Sequence, residues 1–337
     1  MERRRAVTLE DVARAAGVSR ATVSRVVRRD PAVASQTARR VDAAVAQLGY
    51  VPNGAAQLLA TGRSNTLAIV VPEPDRRVFS DPFFGLVVGG INEGLVATGM
   101  QVVMVFAPTR GGPDATVRFL LEGRMAGAVV VSHHRSDGLL EATASLPIPT
   151  VFLGKPFRPV KGEMPHYVDS DNERGGELAG QRLLATGVTR PAVVSGPRDM
   201  TAAVDRLNGC RRVLNAAGMS PPVVFGDFTA ERATKLMGEL FASHPEIDGV
   251  FAASDLMALG AMKAMKQRGL RVGEDIKLIG FDNFEAARQA EPPLTTVSNP
   301  AVELGREAAR MVVALVSGDE VPRQKVLPVR LVVRQSG

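Results

Sequence analysis

Two kinds of apolar spacing divide the chain. Over residues 9–48 the apolar positions recur at helical intervals: Val12, Ala13 and Ala16 first, then Val23, Val26 and Val27, then Val41, Ala44, Val45 and Leu48. Thr8 with Asp11 predicts a capped first helix, the hydroxyl accepting a first-turn N–H and the carboxylate sitting at the positive helix end. Gly17 supplies the left-handed residue that ends it. Ser19 is expected to cap a second helix over 20–27, and Ser35 a third over 36–48 that Gly49 stops. Ala13, Gly17 and Val23 fall where a helix-turn-helix needs a small residue at the crossing, a glycine in the turn and an apolar residue facing the core. Arg20, Ala21, Ser24 and Arg25 are left to point outward.

After Gly49, Tyr50-Val51-Pro52-Asn53 breaks the helix, because proline disfavours helical geometry in the residue before it. Asn53 can cap a short segment over 54–60. That segment is too short to hold as a helix alone, and Gly54 costs it a further ~1 kcal/mol, so it is expected to order only with support. Leu58 and Leu59 are either linker residues packed on a neighbour or an apolar wedge for a minor groove. From Leu67 the pattern changes to short β-branched runs alternating with helical stretches. Strands are expected at 67–71, 102–106, 128–131 and 150–153, with helices at 84–99 and 116–123. The order repeats, with helices at 173–186, 205–218, 230–243 and 256–269 and strands at 192–195, 223–225, 249–252 and 276–281. A strand at 294–297, a helix at 302–316 and a strand near 331–333 close the series. This predicts two parallel-sheet α/β lobes with helices on both faces, able to close on a small molecule at the carboxyl ends of their strands.

Charge sharpens the division. Residues 1–63 hold 11 arginines and no lysine against five acids, a surplus that equals the net +6 of all 337 residues. A basic head on a neutral body fits a head that meets a polyanion, since phosphate attraction needs local charge. Arginine can grip guanine bidentately, and the Thr22 and Ser24 hydroxyls suit phosphate oxygens. No apolar run approaches the ~20 residues of a membrane span, and no apolar segment follows the basic start, so a cytoplasmic protein is expected. The lone Cys210 cannot close an intrachain disulfide and is expected to be buried. His133-His134-Arg135 is read as a loop after a strand rather than a metal site, because adjacent side chains diverge and His166 and His244 lie in separate segments. No metal, cofactor or catalytic residue is expected, and the chain is not read as an enzyme.

The stretches Thr8-Leu-Glu-Asp-Val-Ala-Arg-Ala-Ala-Gly-Val-Ser-Arg-Ala-Thr-Val-Ser-Arg-Val26 and Gly49-Tyr-Val-Pro-Asn53 strongly resemble the head of LacI/GalR-type bacterial repressors. Phe79-Ser-Asp-Pro-Phe-Phe84, Val168-Asp-Ser-Asp171, Asp205-Arg-Leu-Asn-Gly209, Ala253-Ser-Asp-Leu-Met-Ala-Leu-Gly260, Gly280-Phe-Asp282 and Leu294-Thr-Thr-Val297 extend the likeness along the chain. The resemblance implies a helix-turn-helix head at 1–50, a hinge helix at 51–63, and a two-lobed, periplasmic-binding-protein-like α/β body at 64–337 that binds effector and dimerises. The first lobe is expected at about 64–167 plus 298–328 and the second at about 168–297 plus 329–337.

Carried over by resemblance, Arg20, Ala21 and Arg25 occupy base-reading positions on a pseudo-palindromic DNA operator. Thr8, Ser19, Thr22, Ser24, Thr37, Tyr50 and Asn53 occupy phosphate or backbone positions, and Leu59 that of the minor-groove wedge. Arg28 and Ala34 depart from the usual asparagine and serine, and Gly54 lies inside the hinge. In the body, Arg206 is expected to grip effector oxygens, Asp282 to take sugar hydroxyls, Ser254-Asp255 to be a polar pair, and Phe228 to stack on the effector. Asp81 and Phe83 are the expected first-lobe contacts, with Phe79 and Phe84 as further stacking surface or core. The implied function is a homodimeric repressor released by a sugar, with sequence stretches like those of repressors for β-linked glucosides and oligosaccharides. The chain's close soon after its last strand points to a dimer rather than a tetramer. Alternatives are a corepressor-dependent member with a non-sugar effector, a periplasmic sugar receptor, or a cytosolic sugar-binding α/β protein or enzyme.

Overall fold

A computed structural model describes residues 7–27, 30, 32–50, 64–107, 113–123, 125–144 and 146–337. The chain falls into two units, Met1–Ser64 and Asn65–Gly337. The hinge segment 51–63, with Asn53 and Leu59, lies outside the described residues, as does Arg28.

In the first unit, helices α1 (Leu9–Ala16), α2 (Arg20–Val27) and α3 (Ser35–Leu48) close on Val12, Val23 and Val41, all fully buried, with Tyr50 sealing the edge. The Thr8–Asp11 capping box forms: the Thr8 hydroxyl accepts the Asp11 N–H at 3.3 Å, and the Asp11 carboxylate accepts the Thr8 N–H at 2.9 Å. Gly17 takes the left-handed turn at φ +64°, and the Ser19 hydroxyl accepts the Thr22 N–H at 3.1 Å. One cap differs from expectation. Ser35 is the first residue of α3, not its cap; Ala34 holds the cap position with no side chain to accept a hydrogen bond.

The second unit carries two six-stranded sheets. The first contains β1 (Thr66–Val71), β2 (Gln101–Phe106), β3 (Gly127–Val131), β4 (Thr150–Leu153), β5 (His166–Ser170) and β11 (Gln324–Leu327), parallel throughout in the order β11-β5-β4-β3-β1-β2. The second contains β6 (Pro191–Ser195), β7 (Val223–Phe225), β8 (Gly249–Ala252), β9 (Lys277–Asp282), β10 (Thr295–Ser298) and β12 (Arg330–Val332) in the order β12-β10-β9-β8-β6-β7, and only the β10–β12 pair is antiparallel. Strands β1, β3, β6 and β8 are buried along nearly their whole length, as expected of parallel strands covered on both faces. Strand β5 belongs to the first sheet, so the crossing to the second lobe comes after Ser170, a few residues beyond the expected 167.

The helices of the first lobe are α4 (Asp75–Ser80), α5 (Pro82–Leu95), α6 (Asp114–Glu122), α7 (Leu139–Ala144) and α13 (Ala301–Ser317). Those of the second are α8 (Asn172–Ala185), α9 (Thr201–Ala216), α10 (Ala230–Ser243), α11 (Asp255–Gln267) and α12 (Glu285–Gln289). Helices α8 and α9 cross in near contact, because a Cβ on Gly209 would stand 1.9 Å from the Glu173 carbonyl oxygen. That crossing sets α9, and with it Arg206, against the start of α8.

Candidate functional site

The carboxyl ends of strands from both sheets converge on a cleft that opens to solvent. From the second lobe comes Arg206, a buried residue whose guanidinium is held in the wall at two of its nitrogens. Its Nε donates to Asn172 Oδ1 at 2.8 Å and its Nη1 to the Ala253 carbonyl at 2.7 Å, while the group lies 3.6 Å from the centre of the Phe281 ring. Asp282 ends β9 with φ +117°, a strained position that turns its carboxylate into the cleft, 3.8 Å from Arg206 and accepting the Asn299 amide at 3.0 Å. Phe228, also at positive φ, lays its ring against Gly196, where a Cβ would stand 2.4 Å from the ring. Ser254 lines the wall while capping α11 through the Met257 N–H.

From the first lobe come Asp81, Phe83, Ser132, His133 and Arg77. Asp81 caps α5, accepting the Phe83 N–H at 3.0 Å. Arg77 is ion-paired to buried Glu73 and sits 5.2 Å from the Phe228 ring centre, which brings a cation of one lobe to an aromatic face of the other.

The electrostatics follow from burial. Desolvation raises the pKa of Asp81 and, against the pull of Arg206, that of Asp282. Asp169, fully enclosed, is pushed to about 6 by the same cause, although it accepts the backbone N–H groups of Lys155 and Ser170. Burial lowers the pKa of His133, which keeps that ring neutral at physiological pH. Among the described residues, the cleft lining thus carries two guanidinium groups, Arg77 and Arg206, and three carboxylates, Asp81, Asp169 and Asp282.

Asp81, Phe83, Arg206, Phe228, Ser254 and Asp282 thus share one wall system. Asp255 does not join them. It is wholly buried behind β9, its carboxylate accepting the Thr296 hydroxyl at 2.6 Å and the Phe284 N–H at 2.8 Å, so it braces the strand end that carries Asp282. Phe84 is core, and Phe79 is exposed beside Phe106 on the outside of the first lobe. Sequence reasoning missed Arg77, Asn172 and Asn299. Arg77 lies only four residues before Asp81, and the Asn172 signal was its place directly after the Val168–Asp171 motif.

In the head, Ser19 just before α2 and Arg20, Ala21 and Arg25 on it are exposed, while Thr22, Ser24, Thr8 and Thr37 are half-buried. Arg20 pairs with Glu10 at 3.1 Å, a solvent-exposed contact worth at most ~1 kcal/mol and readily exchanged for nucleic acid. The Thr8 hydroxyl is engaged by Asp11, and Tyr50, 9% exposed, packs into the core. Cys210 is fully buried with its thiol pushed up to about 12. Among the described residues no three His, Cys, Asp or Glu side chains gather as a metal site, and no helix is long and apolar enough to cross a membrane.

Residues 8–53 match the lacI family of bacterial regulatory proteins, and residues 181–337 the periplasmic binding protein-like domain. Over 341 aligned positions the chain is 41% identical to the HTH-type transcriptional regulator CelR of Thermobifida fusca, covering 100% of both chains. It is 31% identical to the ribose operon repressor of Escherichia coli (strain K12), covering 95% of this chain and 96% of that one. Among solved structures it resembles a complex of the regulator CelR with cellobiose, at 40% identity over 98% of this chain and 100% of that chain, with a TM-score of 0.77. It also resembles the lac repressor dimer bound to operator and the anti-inducer ONPF, at 30% identity over 98% and 99% of the two chains, with a TM-score of 0.86.

Proposed function

The chain belongs to the LacI family of bacterial regulatory proteins, and from that premise we propose a repressor released from its operator by a neutral, β-linked glucose oligosaccharide of the cellobiose kind. It is a DNA-binding transcriptional regulator whose partners are operator DNA, a sugar effector and a second copy of itself. The observation that carries the effector reading is the meeting of Arg206, Asp282 and Phe228 in one cleft. A guanidinium and a carboxylate suit the hydroxyl pairs of a sugar, and an aromatic ring suits its C–H face. The charge balance of the wall favours a neutral ligand over a sugar phosphate.

In this reading Arg20, Ala21 and Arg25 meet base edges, and Ser19, Thr22, Ser24 and Thr37 meet phosphates. Thr8 holds α1 in place through its cap, and Tyr50 acts through the head core. Roles for Arg28, Asn53 and the Leu59 wedge rest on the sequence. Closing the lobes on sugar shifts the first lobes of the dimer relative to one another, and so decides whether the two hinges fold together and hold both heads one turn of DNA apart. A coupling of about 1–3 kcal/mol suffices to change operator occupancy several-fold or more. The protein acts by binding, in the cytoplasm, and not by turnover.

Thermal-shift titration with cellobiose, glucose and a glucose phosphate tests the effector class, followed by operator binding with the sugar that stabilises. Cellobiose is expected to raise the melting temperature and weaken operator binding. Stabilisation by the phosphate alone, or consumption of any sugar at catalytic rates, would overturn the reading.

A further inference from the structure

Away from the ligand-facing wall, an imidazole stands between carboxylates of the two lobes. His134, in the loop after β3, places Nε2 3.0 Å from Glu73 Oε1 in its own lobe and Nδ1 3.0 Å from Asp199 Oδ1 in the second lobe, in the loop between β6 and α9. The contact is built on both sides. The Ser132 hydroxyl donates to Glu73 at 2.7 Å, and Arg77 pairs with the same carboxylate. The Arg135 N–H donates to the Asp199 carbonyl at 2.9 Å, and the Ser136 hydroxyl to its carboxylate at 3.3 Å. The backbone N–H of His134 is held by the Asp137 carboxylate at 2.7 Å, and the neighbouring His133 ring is turned to the Gly154 carbonyl.

An imidazole can donate from both nitrogens only when it carries both protons; the neutral ring must turn a lone pair toward one of its two carboxylates. We propose that His134 is a proton-dependent clasp between the lobes, so that closing the cleft on its effector takes up a proton and the effector is held more tightly below neutral pH than above it. The clasp also steadies Glu73, and through it Arg77 at the cleft wall. The proposal rests on the reading of the cleft as the effector site.

The direction follows from the geometry. Partial burial alone would lower the ring's pKa, but the hydrogen bond and charge of Glu73, and then those of Asp199, outweigh it and hold it above the ordinary histidine value. Opening the lobes withdraws Asp199 and leaves Glu73, so the pKa is higher in the closed state. The clasp is therefore present at low pH and lost as pH rises through the closed-state value.

The test is calorimetry of cellobiose binding to the full-length protein at about pH 6 and about pH 8, in buffers of different ionisation enthalpy, for the wild type, His134→Gln and Asp199→Asn. Wild-type affinity should be at least about threefold higher at the lower pH, with net proton uptake, and both variants should still bind sugar with much of that uptake gone. Undiminished uptake in His134→Gln would assign the proton to the cleft carboxylates and overturn the clasp. A fluorophore pair, one dye on each lobe, reads closure without any ligand: closure should rise as pH falls in the wild type and stay level in His134→Gln. Identical curves for the two proteins sink the clasp even where cellobiose proves not to be the effector, whereas a pH-dependent difference without cellobiose binding would retire only the choice of sugar.

Discussion

Replacing Arg206 by lysine keeps the charge in the cleft and removes the fork. The arginine uses Nε on Asn172, Nη1 on Ala253 and its flat face on Phe281 at once. A lysine ammonium at that depth can keep one of the two hydrogen bonds and loses the stacking. A charged hydrogen bond contributes about 1.5–3 kcal/mol and a desolvated cation–ring contact up to ~2 kcal/mol. The bidentate hold on sugar oxygens is lost as well, because lysine is a point charge where arginine is a planar fork. The wall contacts bear on the stability of the lobe; for cellobiose binding, the lost second arm of the fork is a charged hydrogen bond, so the expected weakening is about 1.5–3 kcal/mol, or roughly 10- to 150-fold. Operator binding without sugar should stay within a few-fold of wild type, since the head is a separate unit from the one that contains the cleft. Calorimetry reads the first quantity and fluorescence anisotropy on operator DNA the second. Sugar affinity within about threefold of wild type, in a variant that remains folded at the assay temperature, would refute the assignment of Arg206 as the oxygen grip.

Arg25→Ala should weaken operator binding by about 1–3 kcal/mol and relax preference at one base pair; competition against single-base operator variants checks this, and uniform weakening across sequences would contradict base reading. Ala34→Ser should supply the cap that α3 lacks and stabilise the head by about 0.5–2 kcal/mol in denaturant melts, with no gain if the cap position is misassigned. Asp169 has its pKa raised from 3.8 to about 6 by burial, so its destabilisation is full above pH 6 and is relieved as pH falls from there toward the ordinary aspartate value. Melting curves of wild type and Asp169→Asn across that interval should converge as the pH falls, and parallel curves would remove Asp169 from the pH dependence.

The head was legible in the sequence because its signals are local: the Thr8–Asp11 box, Gly17 and the Ser19 cap each lie within a few residues of the group they satisfy. Ser35 misled because a hydroxyl beside the cap position looks like a cap, and only backbone geometry shows that Ala34 occupies it. In the body, β-branched runs revealed the buried central strands. Strand β5 was hidden by the mixed polarity of His166-Tyr-Val-Asp-Ser170, and β11 by lying at a sheet edge with Gln324, Lys325 and Val326 exposed. Short α4 and α7 show too little period to be read. Asp255 was expected at the effector with Ser254 by resemblance alone, yet helix geometry turns it inward to Thr296. Arg77, Asn172 and Asn299 meet Phe228, Arg206 and Asp282 only through tertiary packing, which pattern along the chain does not encode.

The edge strands β11 and β12 have a consequence for synthesis. Each lobe receives its last strand from residues 324–332, after the chain has already passed through both. During translation the head, formed by local contacts, can fold while both lobes still lack an edge. A chain cut short before β11 and β12 would therefore carry a folded head on a body in which each sheet ends one strand early, with β5 and β10 left as bare edges.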